Sequence, residues 1–416
     1  MISIVACVLL TTYYSIHSIP YKRRKYGYIM KSTLNMSFKK VLTLIFISLA
    51  IIYIGLASAK IYRWQLHQWL GTYWLSSETN NTKNNTKHYI FTMVDHYEPG
   101  FDSSTAILAS KNWLNKFEPI ANRHFDSYGN NFKYSWFYPY DQADDDVIKR
   151  LIKTTQKGFG EIEFHWHHPK YTNNTFREAL SEAIGWFNKH GLMISDKPNA
   201  KPNFAFIHGN WALDNSLSVC GVNNEIDILQ EFGGYMDMTF STIGQESQPF
   251  HKINQLYHVE DTADSKSYES GQEATFNKVN DDFLIFQGPL SFSLDLSIEY
   301  GAVENYALPT PKRIRKWMDS NIHVNGKPEW VFIKVYSHGI QSDSIINSHL
   351  DSMLSDLDEE VDARSAKLHF MTAREAYNVV KAAEAGLSGN PEEYRDFVID
   401  KPASLSELPC FTAKIL

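Results

Sequence analysis

The chain has 416 residues, enough for one large domain or two ordinary ones. With 43% hydrophobic and 21% charged residues it can bury a sizeable core, which excludes wholesale disorder. A net charge of −7 lacks the basic excess of a phosphate-backbone binder, so no nucleic-acid partner is expected.

The first strong signal in chain order is the uncharged run VLTLIFISLAIIYIGL at 41–56, preceded by Lys39 and Lys40 and, further upstream, Lys22, Arg23, Arg24 and Lys25. Its length lies between a short membrane span and the core of a signal peptide. The basic flank predicts an inside N-terminus and a body on the periplasmic or extracellular side. Ala57-Ser58-Ala59 fits a small-residue cleavage site, so an anchor (41–59) and a secreted form cut near Ala59 both stay open. Ile61, Tyr62, Trp64, Leu66, Trp69 and Leu70 favour the anchor. Residues 1–40 read as a basic cytoplasmic segment, with Met30 or Met36 as alternative starts. Residues 60–87, ending in SSETNNTKNNTK, read as a linker. Asn80, Asn84 and Asn173 fall in glycosylation patterns.

From 88 to 400 short apolar runs alternate with helical spacings. Strands are predicted at 88–94, 132–138, 161–166, 204–207, 236–240, 330–335 and 367–371. Helices are predicted at 105–117, 143–154, 175–190, 225–232, 344–357 and 372–385, the last with Thr372 as N-cap. This alternation predicts an α/β fold, a distorted (β/α) barrel of about seven strands. Residues 245–300 read as an insertion with antiparallel strands at 282–286 and 290–296, and 401–416 as a tail. Three cysteines, Cys7, Cys220 and Cys410, make no disulfide framework and no CxxC, so a thiolate zinc site is not expected. A Cys220–Cys410 pair stays open for an exported domain.

Four predicted strand ends carry polar clusters: Asp95-His96, His165-Trp166-His167-His168, His208-Gly209-Asn210 and His338-Gly339. Strand alternation puts Glu163, His165 and His167 on one side and His168 on the other. His165 and His167 can therefore share a divalent ion, zinc first among candidates, with Asp95 or His96 as third ligand. Glu163 and His168 are further ligand or substrate candidates. Asp95 suits a general base and His338 a general acid. His208, Asn210, Trp211 and Asp214 are candidate substrate-binding residues, with Asn215, Glu225 and Glu304-Asn305 weaker ones. The plain alternative for each is a histidine or carboxylate that caps a loop. No G-x-S-x-G elbow, Walker A loop, G-x-G-x-x-G or HExxH occurs.

The segments TMVDHYEP (92–99), GEIEFHWHHP (160–169), FIHGNWALDNS (206–216), CGVNNEIDIL (220–229), FIKVYSHG (332–339) and HFMTAREAYNVVKAAEAG (369–386) together resemble an uncharacterised group within the glycoside hydrolase/deacetylase superfamily. That superfamily includes the NodB-like polysaccharide deacetylases. The resemblance implies a distorted barrel, a metal-dependent hydrolase and a polysaccharide substrate from which N- or O-acetyl groups are removed. In NodB-like enzymes two adjacent aspartates act as base and ligand; here Asp95 matches the first and His96 stands in the second place. Their two histidines four apart meet His165, His167 and His168, and their late general-acid histidine is matched by His338. Their Arg-rich motif has no counterpart, and Tyr336 stands where relatives often carry a second histidine. A glycosidase using Asp95 with Glu98, Glu163 or Asp214, and a non-catalytic polysaccharide-binding or assembly component, are the competing expectations.

Overall fold

The computed structural model describes residues 38–76, 86–293 and 295–405. Met30, Met36, Cys7, Asn80, Asn84 and Cys410 lie outside these residues, and so does the Cys220–Cys410 pairing. The chain divides into 1–56 and 57–416.

Helix α1 (Phe38–Arg63) carries the apolar run. Over Lys40–Arg63 its mean hydropathy reaches 2.5, and among the described residues it is the one helix long and apolar enough to cross a membrane. Ala57-Ser58-Ala59 falls inside it. The expected linker is not all linker: Leu66–Ser76 forms helix α2. Leu66 and Trp69 are fully buried, against Ile243, Ile253 and Leu290. Of the residues that looked interfacial, Leu66, Trp69 and Leu70 form the contact face of this docked helix, while Tyr62 on α1 is exposed.

The body then runs β1 (His88–His96), α3 (Ser103–Ala121), β2 (Tyr134–Pro139), α4 (Asp145–Thr155), β3 (Gly160–Trp166), α5 (Asn173–Lys189), β4 (Phe204–His208), α6 (Glu225–Glu231) and β5 (Gly234–Asp237). Next come β6 (Leu256–Val259), β7 (Gln272–Glu273), β8 (Phe283–Phe286), β9 (Ser291–Phe292), β10 (Ile298–Glu299), α7 (Pro311–Asp319), β11 (Trp330–Ser337), α8 (Leu350–Ala363), β12 (Lys367–Phe370) and α9 (Ala373–Glu384). Short polar side chains start the helices, satisfying backbone amides that no helical carbonyl reaches. Asp102 and Asp144 cap α3 and α4, and Thr372 with Glu375 forms a capping box on α9.

Ten strands form one mixed sheet in the order β11-β1-β2-β3-β4-β5-β8-β6-β7, with β12 pairing the first half of β1. The α/β class is as expected, with ten strands in place of about seven. Among the described residues no ladder joins β8 to β11, although Phe286 and Phe332 of those strands meet at a ring distance of 5.6 Å. The sheet therefore curls far enough to bring the two together. Antiparallel strands do occur in the 245–300 segment, but Phe283–Phe286 also joins the main sheet: it lies antiparallel to β6 and parallel to β5. Only β9 and β10 form a separate two-stranded piece. The tail begins on the body, where Ala403 donates its amide to the Ile194 carbonyl at 2.7 Å.

Alternation along the strands sorts the core into two faces. Ile90, Val94, Ala205, Ile207, Met236, Leu284, Phe286 and Phe332 share the inner face, closed at one end by α9, all of whose residues are buried. Phe91, Met93, Phe164, Phe204, Phe206, Val331 and Ile333 share the outer face, under the helices. Position parity thus decides which side of the sheet any strand-end residue serves.

His88 opens β1, with its Nδ1 2.8 Å from His369 Nε2, while His369 Nδ1 bonds Glu392 at 2.6 Å. Burial, helped by the nearby His369, pushes His88 down to about 4. Between pH 4 and 6.5 the unfolded chain therefore binds the extra proton, and stability falls as pH falls through that window. His88→Gln is expected to flatten the slope of unfolding free energy against pH there by up to about one proton. Urea melts from pH 4 to 7.5 check this; an unchanged slope contradicts it.

Candidate metal centre

The C-terminal ends of β1, β3 and β11 meet on the inner face. β1 ends in a tight turn in which Glu98 donates its amide to the His96 carbonyl at 2.9 Å. That turn lays the Glu98 carboxylate over the strand tip beside His96. On β3 and its extension, His165 and His167 keep the inner parity, with ring centres 4.5 Å apart. His338 keeps the inner parity just past β11. His96 lies between them, 4.8 Å from the His165 ring and 4.7 Å from the His338 ring.

The Nε2 atoms of His165, His167 and His338 converge on one oxygen. Glu98 Oε1 is 3.3 Å from His165 Nε2, 3.3 Å from His167 Nε2 and 3.9 Å from His338 Nε2. The potential ligand atoms form two overlapping groups, Glu98-His165-His167 and His96-Glu98-His338, each within 4.8 Å. Each outward ring nitrogen has its own partner. His165 Nδ1 faces the Ile207 carbonyl at 2.8 Å, His167 Nδ1 faces Asp141 at 3.3 Å, and His338 Nδ1 faces Glu304 at 2.7 Å. Carbonyls and carboxylates accept, so Nδ1 carries the hydrogen and Nε2 is left to bind. Metal-ligating histidines are held in this way.

The electrostatics follow the same geometry. Burial pushes the Glu98 carboxyl up, but hydrogen bonds to His165 and His167 outweigh it and hold Glu98 well below the usual range. Burial lowers His96 and His165. It lowers His167 as well, but Asp141 and Glu98 prevail and raise it to about 9. An ion bound at His167 would therefore have to displace a proton. His338 is raised, because Glu304 outweighs burial.

Two glycines make room. A Cβ on Gly209 would lie 2.7 Å from the His167 Cα, and one on Gly339 would lie 2.8 Å from Asp95 Oδ2. Only bare backbone allows these loops to close on the centre.

Not every residue expected at the site is there. Asp95 has the opposite parity to His96. It is fully buried on the outer face, with Oδ1 accepting from the Gly339 amide at 2.6 Å and Oδ2 without a partner. Burial raises its carboxyl. Glu163 has the right parity but lies one step down the strand, accepting from the Ala205 amide at 2.8 Å and Tyr235 Oη at 3.1 Å. His168 and His208 are enclosed on the outer face with Glu225. Asp214 is buried and accepts from the Ser267 amide at 2.6 Å. His208 and Asp214 therefore do not face a substrate. Asn210 is exposed and Trp211 half-buried, and both take positive φ, 55° and 56°, which is uncommon for a residue as bulky as Trp. Glu304, a weak candidate, does reach the centre, bonding both the backbone amide and Nδ1 of His338 at 2.7 Å. Tyr336 lies 5.9 Å from the His96 ring. Glu98 entered the sequence reading only as a glycosidase carboxylate. Its signal was slight: Glu98 follows the end of β1 by two residues, and the turn after His96 folds it back over the strand tip.

No protein-family model matches the chain, and no curated protein matches it. Among solved structures, a "putative glycoside hydrolase/deacetylase" from Parabacteroides distasonis aligns over 70% of this chain and 71% of its own, with 9% identity and a TM-score of 0.38. So slight a likeness carries no conclusion about this chain.

Proposed function

We propose that the protein is a metal-dependent hydrolase of a polysaccharide, removing N- or O-acetyl groups, built on a barrel-like curled sheet. The observation that carries this reading is the convergence of three Nε2 atoms on Glu98 Oε1 while each Nδ1 is held from behind. We assign ion binding to Glu98, His165 and His167, with His96 alongside. Two imidazoles and one carboxylate suit zinc and leave a position open. A bound divalent ion supplies an acidified water and polarises the acyl carbonyl.

The remaining work falls to the chain. In its doubly protonated form His338 donates from Nε2 to the departing nitrogen or oxygen as the carbon–heteroatom bond breaks, and Glu304 keeps its Nδ1 hydrogen in place. Asp95, the expected base, is enclosed; we assign it the positioning of the His338-Gly339 turn through the Gly339 amide. Asn210 and Trp211 form the candidate sugar-contacting loop. Helix α1 serves as anchor, with the body on the outer side of the membrane.

The test compares wild type with the His165→Ala/His167→Ala double variant for bound metal and for acetate released from acetylated glycans. The expected result is stoichiometric zinc or a similar ion and acetate release in the wild type, both lost in the variant. Release of reducing sugar without acetate would replace deacetylation by glycosidic cleavage. Unchanged metal content in the variant removes the centre.

A further inference from the structure

A second histidine cluster lies on the outer face, separate from the proposed centre. His168 follows β3, His208 ends β4 and Glu225 opens α6. Their side chains are fully enclosed. His168 Nε2 is 2.8 Å from Glu225 Oε1 and 3.0 Å from His208 Nε2, and His208 Nε2 is 3.2 Å from the same Glu225 oxygen.

The tautomers are fixed from outside the cluster. His168 Nδ1 faces the Pro169 carbonyl at 2.9 Å, and His208 Nδ1 faces the Gly209 carbonyl. Those oxygens only accept, so each neutral ring carries its hydrogen on Nδ1 and turns a bare Nε2 lone pair inward. Two lone pairs and a carboxylate oxygen then face one another at 2.8 to 3.2 Å with no solvent between them. A proton bridges two atoms and leaves the third opposed by a lone pair. A divalent cation satisfies all three. Ligand atoms about 2.0–2.1 Å from a tetrahedral zinc lie about 3.3 Å apart, close to these separations. The carboxylate is also oriented as a ligand would be: its second oxygen accepts the Asp214 amide at 2.6 Å. Rings of Trp166, Phe176 and Tyr171 wrap His168, which keeps substrate away.

We propose that His168, His208 and Glu225 hold a second, structural divalent ion of the zinc class, tying the ends of β3 and β4 to the start of α6. The inference is independent of the catalytic reading.

Zinc is counted per chain by mass spectrometry on the full-length protein after brief chelation and after zinc reloading. Reloaded wild type is expected to hold two zinc ions, one of them resistant to brief chelation. Glu225→Gln is expected to lose one ion, the resistant one, while His165→Ala/His167→Ala keeps it. If the catalytic reading fails, wild type holds one ion, insensitive to the His165/His167 change and lost in Glu225→Gln. Should Glu225→Gln fail to fold, anomalous scattering at the zinc edge from wild-type crystals decides by position. A peak between the three side chains supports the site. An unchanged zinc count in Glu225→Gln, or no peak there, overturns it in favour of an imidazolium bonded to Glu225.

Discussion

Replacing Glu98 by alanine is expected to empty the proposed centre and stop hydrolysis, with a larger effect than any other single change on the inner face. Glu98 belongs to both potential ligand groups, and its Oε1 is the point on which three imidazoles converge. Without it, His96, His165, His167 and His338 face one another with no anion among them. Changing an outer-shell partner such as Glu304→Gln should cost about 10–100-fold in affinity or activity. Glu98→Ala should exceed that range in both measurements. Metal titration and acetate-release rates on the two variants check the order. An ion affinity for Glu98→Ala equal to wild type would remove Glu98 from the ligand set.

The second large effect is on stability. Arg374 of α9 grips Glu161 of β3 with two hydrogen bonds, 2.9 Å from Nε and 2.7 Å from Nη2, and both residues are buried. Its other arm reaches the Ile399 carbonyl at 2.7 Å and Asp396 at 2.8 Å. One guanidinium thus bolts a central strand, the helix closing the inner face and the C-terminal segment. Removing one member of a buried pair costs about 3–5 kcal/mol, and without Glu161 the guanidinium keeps only the partly exposed Asp396 as a carboxylate partner. Glu161→Ala is expected to lose that much in urea unfolding, a large share of the 5–15 kcal/mol typical of a folded domain. A loss under about 1 kcal/mol would show the pair to be marginal. Metal content at low temperature should stay at the wild-type level, since Glu161 lies away from the ligand atoms.

Much of the body was legible because helical spacing and short apolar runs dominate it, and the strand ends were where the histidines were expected. Strand alternation alone separates His165 and His167 from His168. The same rule, not applied to β1, misplaced Asp95: adjacent residues on a strand point to opposite faces, so Asp95 and His96 cannot line one pocket. It also sends His208, even-numbered like Phe204 and Phe206, to the outer face. Glu98 was hidden because the apolar run stops at Val94, while the backbone stays extended to His96. The docking of α2 was illegible for another reason. Amphipathic spacing reveals that a helix has a partner face, but not whether that face meets lipid or protein. The place of β8 in the main sheet was likewise a matter of long-range pairing, which local pattern does not encode.

The pairing of β3 with β2, where His165 lies opposite Pro139, has a consequence for folding. A slip of one residue would swap Trp166 inward and turn both imidazoles towards the helices. An ion held at the proposed centre would therefore favour the one hydrogen-bonding frame in which three separate strand tips agree.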